Sequence, residues 1–277
     1  MNGVTLPAIS IVTCSYMQAR YLDSCMRSVL DQGYPHLDYI LMDGGSSDAS
    51  PDIIRRHQHR LAWWTSQRDG GQTNALIEGF KRASGEILGW LCSDDILLPG
   101  SLEFVGRYFA AHPDVDVIYG DALWIDQDGS MIRPKREMAF NRFVFLHDHN
   151  FVPQPSTFWR RSLYDQVGGL DSRFNFGMDG DLWERFSRHS KLTHVSRYLA
   201  CMRFYAEQKT ASQRPASLRE GDTIRARYLF GSSPVFRPLA KAVARPLRIL
   251  LKGVNGGYGA TVPPDLVASL DRYRTPG

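Results

Sequence analysis

Four times before residue 112 the chain repeats one pattern: a short apolar, β-branched run, then a segment whose apolar residues recur at helical spacing. The runs are residues 8–14 (AISIVTC), 39–42 (YILM), 61–65 and 86–92 (EILGWLC). Helices are expected at 22–30, from Ile53, at 73–83 and at 102–111, the last with Ser101 as its cap. Such alternation builds a mostly parallel sheet with helices on both faces, and its ligands sit beyond the carboxyl ends of the strands. The expected class is therefore α/β and Rossmann-like. Beyond Pro99 the pattern becomes mixed, with a strand at 115–119, a hairpin turn at Asp126-Gln127-Asp128-Gly129, a helix at 182–186 and a strand at 192–202.

The strand ends at that edge are acidic. Asp43 opens a DGGSSD turn, Asp69 follows the third strand, and Asp94 and Asp95 stand side by side after the fourth. Adjacent carboxylates repel, so a site that keeps both supplies a cation, a hydrogen-bond network or open water. Neither GxGxxG nor GxxxxGK[ST] follows the first strand, so a bound nucleoside diphosphate would need another neutralising group. A hard divalent cation held by a carboxylate is the usual substitute. One of Asp94 and Asp95 would then hold the metal, and the other would suit a ribose hydroxyl. Turn chemistry alone accounts for an isolated acid such as Asp43; three acidic strand ends on one edge favour a site. A second acidic stretch, residues 177–184 (GMDGDLWE), offers Asp179 as a general base, although Asp in a first helical turn is also a common stabilising device.

A composition of 43% hydrophobic and 22% charged residues over 277 positions fits a folded globular chain with a core that needs no covalent staples. Cys14, Cys25, Cys92 and Cys201 are scattered without a CxxC pair, so free thiols are expected, with no zinc site or disulfide framework. The formal charge is +4, and Arg237, Lys241, Arg245, Arg248 and Lys252 lie within residues 234–254 without an acid, so the rest is nearly neutral. That distribution argues against a nucleic-acid partner. No basic stretch precedes the first apolar run and no run reaches membrane-span length, so a cytoplasmic location is expected.

Taken in order, ISIVTCSYMQARYLDSCMRSVLDQGYPHLDYILMDGGSSDAS, SQRDGGQTNALIEGF, GEILGWLCSDDILLPGSL and QPSTFWRRSLYDQVGGLDSRFNFGMDGDLWERF resemble the successive blocks of family 2 glycosyltransferases, over roughly residues 7–213. The resemblance implies a GT-A fold: a nucleotide-binding half to about residue 100, an acceptor half from 101 to 213, and a basic tail from 214 to 277. It implies transfer of a sugar from a nucleotide-sugar donor, with UDP the commonest carrier, to a glycan or lipid-linked acceptor in cell-surface polysaccharide assembly. By the same resemblance, Cys14, Tyr16 and Asp43 meet the nucleobase, Asp69 lies on the next nucleotide loop, and Asp94 sits near the ribose. Asp95 is the ligand of Mn²⁺ or Mg²⁺, Asp179 the base of an inverting transfer, and Arg203 and Lys209 belong to a loop over the diphosphate. Gln154, Asp181 and Trp183 fall on the acceptor side.

The sequence also departs from the family's pattern. Met17 stands where relatives often carry Asn, Met178 replaces the usual Glu, and NALIEG stands for DAINKG. The QxxRW element of processive members is missing, so one sugar per encounter is expected. His147-Asp148-His149 reads as a polar loop, because HxH without further spaced ligands is nonspecific for metal. Residues 234–254 read as an interfacial helix attracted to anionic membrane, interrupted by Pro238 and Pro246, with a solvated or self-packing tail as the alternative. The rival functions are a degenerate nucleotide- or glycan-binding module and a sugar-phosphate nucleotidylyltransferase. The latter would want a glycine-rich segment after the first strand, and TCSYMQ is not one.

Overall fold

In a computed structural model, which describes residues 5–227, 233, 235–259 and 261–274, the first half is the predicted alternation. It runs β1 (Ile9–Ser15), α1 (Ala19–Leu30), β2 (Leu37–Asp43), α2 (Ser50–His57), β3 (Trp63–Ser66), α3 (Gln72–Arg82) and β4 (Ile87–Cys92). There follow β5 (Ile96–Leu97), α4 (Ser101–Ala111), β6 (Val117–Ile125), β7 (Met131–Lys135), α5 (Arg142–His147), β8 (Thr157–Arg160), α6 (Arg161–Gln166), α7 (Met178–Phe186) and β9 (Leu192–Arg203). The chain continues through α8 (Lys209–Ser212), α9 (Arg214–Ala226), α10 (Phe236–Val254) and α11 (Pro264–Ser269).

The described strands form one nine-stranded sheet in the order β3-β2-β1-β4-β8-β6-β9-β5, with β7 beside β6. The first four are parallel, β8 is antiparallel to both β4 and β6, and β9 runs parallel to β6 while pairing antiparallel with β5. Alternation along β1 divides the core: Ile9 and Ile11 face α1, α2 and α4, whereas Val12 and Cys14 face α3 and α7. Gly79 lets α3 lie close on β1, since a Cβ there would come within 2.4 Å of Val12 Cγ1.

Two local expectations are corrected. Ser101 does not cap α4; Gly100, at φ +75°, makes that turn, and the Ser101 hydroxyl donates to the Leu199 carbonyl. Pro238 and Pro246 do not interrupt the tail, because α10 runs continuously from Phe236 to Val254. Pro238 lies in the first turn, where its missing N–H costs nothing. Pro246 is offset by packing: Ala244 is buried, Leu247 and Leu251 join the α3/α7 core, and Arg248 and Lys252 pair with Asp148 and Glu137. After α11, Leu270 and Tyr273 are buried against Ile96, Leu98 and Ile125, so the segment after residue 214 packs onto the body.

Candidate active site

The carboxyl ends of β1, β2 and β4 open into a cavity of about 870 Å³, closed on its far side by α7 and the segment after β9. Eight of the residues singled out from the sequence line it. They are Cys14 at the end of β1, Tyr16 and Asp69 from the loops after β1 and β3, Asp94 and Asp95 after β4, and Gln154, Asp179 and Lys209 from the second half of the chain. Tyr16, although part of the lining, is 64% exposed. Asp69 accepts from the Gly71 N–H at 2.7 Å and packs on the glycine turn after β2, where a Cβ on Gly44 would stand 3.1 Å from its Oδ2. The two acidic turns are thus built against each other.

Asp95 Oδ1 accepts from the Arg203 N–H at 2.9 Å, and Asp94 Oδ2 accepts from the Tyr205 hydroxyl at 2.9 Å. Burial pushes both carboxyls above their ordinary range, and for Asp95 repulsion from Asp94 adds to it. Among the described residues neither makes an ion pair with a basic side chain. Ligand atoms of Cys92, Asp94 and Asp95 lie within 4.8 Å of one another. Two converging carboxylates without a paired cation fit a bound divalent ion, with oxygen donors suited to Mn²⁺ or Mg²⁺.

Asp179 sits in the first turn of α7, half-buried, with Oδ2 accepting from Asn150 Nδ2 at 2.8 Å. Burial pushes its carboxyl up to about 6. The loop leading into α7 is clamped by Glu220 of α9, which accepts from the N–H groups of Asn175, Phe176 and Gly177 at 2.7 to 3.0 Å. Lys209 completes the clamp, donating to the Asn175 carbonyl at 2.8 Å and to Gln72 Oε1 at 3.1 Å. Gln154 is held by its Nε2 on the Trp90 carbonyl at 2.8 Å.

Four residues expected at the site do not reach the cavity. Asp43 is fully buried outside the cavity lining, its oxygens accepting from the Ser46 N–H and from the Ser46 and Ser66 hydroxyls, which shapes the turn after β2. Arg203 is fully buried; its guanidinium donates to the carbonyls of Asp94, Asp126 and Gln127, bracing the acidic turn. Asp181 stands two residues past Asp179, roughly 200° around the helix, and points away into Arg185 and Arg227. Trp183 is buried in an indole cluster, stacked on Trp90 at 5.8 Å and edge-to-face with Trp159 at 5.3 Å. Asn150, Tyr205, Gln72 and Glu220 escaped the sequence reading. Tyr205 lies inside the loop from Arg203 to Lys209 and Asn150 beside His147-Asp148-His149, but their partners lie 111 and 29 positions away.

All four cysteines are free, as their scatter predicts. No helix among the described residues is long and apolar enough to cross a membrane.

Known proteins resemble the chain in the same terms. Over 181 residues it is 29% identical to an uncharacterized glycosyltransferase of Mycobacterium tuberculosis, MT1564, a match spanning 62% of this chain and 66% of that protein. It is 28% identical over 202 residues to the O-antigen biosynthesis protein RfbC of Myxococcus xanthus, across 69% of this chain but only 15% of that one. In fold it is similar to residues 1–349 of TarS from S. aureus, solved with UDP-GlcNAc, with a TM-score of 0.66 at 15% identity over 96% of this chain and 79% of that one. It is likewise similar to the mannosyltransferase PcManGT of Pyrobaculum calidifontis, solved with GDP-Man and Mn²⁺, with a TM-score of 0.64 at 14% identity over 97% of this chain and 86% of that one. These structures are GT-A glycosyltransferases, and the sheet described above is the GT-A fold. The sequence pattern of Glycosyl transferase family 2 matches residues 10–168, more than half of the chain, which therefore belongs to that family.

Proposed function

We propose that the protein transfers one sugar per encounter from a nucleotide-sugar donor, UDP-linked, to a hydroxyl of a glycan or lipid-linked acceptor, with inversion, in cell-surface polysaccharide assembly. The observation that carries this reading is the sharing of one cavity by an adjacent carboxylate pair, neither member of which is ion-paired among the described residues, and a third carboxylate raised to about 6. The name of RfbC supports the pathway class, and the UDP-GlcNAc in the TarS structure supports the UDP donor.

In this reading Tyr16 stacks on the base at the rim, Asp69 and Asp94 hold the nucleoside, and Lys209 turns from Gln72 and Asn175 toward the diphosphate. Asp95, with Asp94 and Cys92 beside it, would hold Mn²⁺ or Mg²⁺, which when bound would supply positive charge for the departing diphosphate. Gln154 borders the acceptor subsite. Asp179 removes the proton from the acceptor hydroxyl while that oxygen bonds to the anomeric carbon and the bond to the diphosphate oxygen breaks. Attack from the side opposite the leaving group inverts the centre.

The test is a thermal-shift panel of UDP, GDP, dTDP and CDP with and without Mn²⁺, in the parent and in Asp95→Ala. A nucleotide at about 100 times its dissociation constant adds roughly 2.7 kcal/mol of stability. A shift with one nucleotide that requires both Mn²⁺ and Asp95 is the expected result; no shift with any of them supports the degenerate module. Asp179→Asn should keep that shift and lose turnover by about 10²- to 10⁴-fold.

The same reading includes docking of α10 on anionic membrane at the inner face of the cell membrane. Its outward side leaves Phe236, Leu239, Val243, Leu250 and Val254 exposed, and Lys241 and Arg245 have no partner among the described residues. Apolar side chains flanked by free cations suit a headgroup region carrying negative charge. Leu239→Asp with Val243→Asp should abolish co-sedimentation with phosphatidylglycerol vesicles; unchanged sedimentation would remove the membrane from the proposal.

A further inference from the structure

Asn150 is the one side chain among the described residues that hydrogen-bonds Asp179. It lies outside every stretch that carries the sequence resemblance. Its amide is oriented before any substrate arrives, because Oδ1 accepts from the Val152 N–H at 3.2 Å, which leaves Nδ2 to face the carboxylate. The backbone on either side is fixed as well. Phe151 is fully buried beside Phe140 and Phe145, its carbonyl accepts from Lys135 Nζ at 2.8 Å, and Asp148 is tied to Arg248 and His149.

The charged groups around this contact are already committed elsewhere. Asp148 is paired with Arg248, Asp181 with Arg185 and Arg227, and Lys209 bonds Gln72 and the Asn175 carbonyl. His149 is pushed by burial below its usual value, which keeps it neutral near pH 7. Among the described residues no cation therefore pairs with the Asp179 carboxylate, and beside the backbone N–H groups of Asp179 and Gly180 the Asn150 amide is the one side chain that holds it. A guanidinium in that place would stabilise the ionised form strongly and weaken it as a base. An amide donor favours the ionised form modestly while fixing the side-chain rotamer.

Resting on the reading of Asp179 as the base, we infer that Asn150 is its positioning residue: the amide aims the carboxylate into the cavity and sets the pH at which it can accept a proton. A bond that merely staples the 148–153 loop would stabilise the fold without governing that titration.

The test is carboxyl ¹³C NMR titration of Asp-labelled protein, with the Asp179 signal assigned by its loss in Asp179→Asn. Asn150→Ala is expected to raise the Asp179 midpoint by about one pH unit. Asn150→Asp, which sets a second carboxylate against the first, is expected to raise it further and broaden the transition. Melting curves and Mn²⁺-dependent nucleotide shifts like the parent's establish that both variants fold. A midpoint unmoved in both variants overturns the inference.

A second arm follows nucleoside diphosphate release from UDP-, GDP- and dTDP-sugars into water. Asn150→Ala is expected to release about tenfold less at pH 5 and about twofold less at pH 7, recovering at higher pH, with the donor KM unchanged. A moved midpoint with parental release at every pH would also overturn the role. If the parent releases no nucleotide from any donor, the proposed function fails, while the carboxyl titration still decides whether Asn150 controls Asp179.

Discussion

Met17 has a φ of +55°, and among the described residues it is the only one other than glycine in the left-handed region. That conformation suits Asn and costs an unbranched side chain about 1 kcal/mol, which gives the family's preference for Asn here a physical cause. Partial relief comes from its sulfur, which accepts from the Ser47 N–H at 3.4 Å and the Ser47 hydroxyl at 3.5 Å. Met17→Asn is expected to stabilise the protein by about 0.5 kcal/mol, read from the urea midpoint. A loss of stability would mean that the sulfur contacts outweigh the backbone strain.

Asp179 carries the opposite kind of cost. An unfolded Asp titrates near 3.9, and burial raises the folded group to about 6, so between those values the folded state holds the proton more tightly. Its contribution is therefore most favourable below about pH 4 and is lost as pH rises through about 6. Asp179→Asn should be more stable than the parent at pH 8, with the gap closing by pH 4, in paired denaturation curves. An equal gap at both pH values would show that the carboxyl is not desolvated.

At the scale of elements, the strand–helix alternation was legible because its periods of 2 and 3.6 are local properties of the chain. The short strands β5 and β8 were not, since each exists only through partners far away: Ile96 faces Cys201, and Leu88 faces Trp159. Helix phase explains a different miss. Asp179, Asp181 and Trp183 look alike as a cluster in sequence, yet on α7 they face different sides, and only the first meets the cavity. The clamp on the loop before α7 was invisible for the first reason, because Glu220 lies 45 residues beyond Asn175. Glu220→Ala would leave three N–H groups without that acceptor and should cost about 1–2 kcal/mol, with faster hydrogen exchange at Asn175, Phe176 and Gly177. Protection unchanged at those amides would assign the loop's order to Lys209 instead.

Over the whole molecule, the resemblance ended near residue 213, and composition beyond it suggested a basic tail. The structure returns that segment to the body. Ile224 enters the core beside α7, α10 is pinned through Arg248 and Lys252, and Leu270 and Tyr273 cover the strand that follows the paired acids. Apart from those of Ile224, these contacts join residues a hundred or more positions apart, and no local pattern announces them. Removing residues 262–277 uncovers Ile96, Leu98 and Ile125 and is expected to cost about 3–5 kcal/mol, seen as a lower urea midpoint. A midpoint like the parent's would show that the last turn is dispensable.

The cluster of three indoles has a consequence for how the molecule can be watched. Trp90 lines the cavity, while Trp159 and Trp183 stand behind it with ring centres 5.3 to 5.8 Å apart. Excitation absorbed by any of the three migrates among them faster than it is emitted. A nucleotide that quenches Trp90 therefore darkens three chromophores together, and unlabelled protein reports its own ligand by the light it ceases to emit.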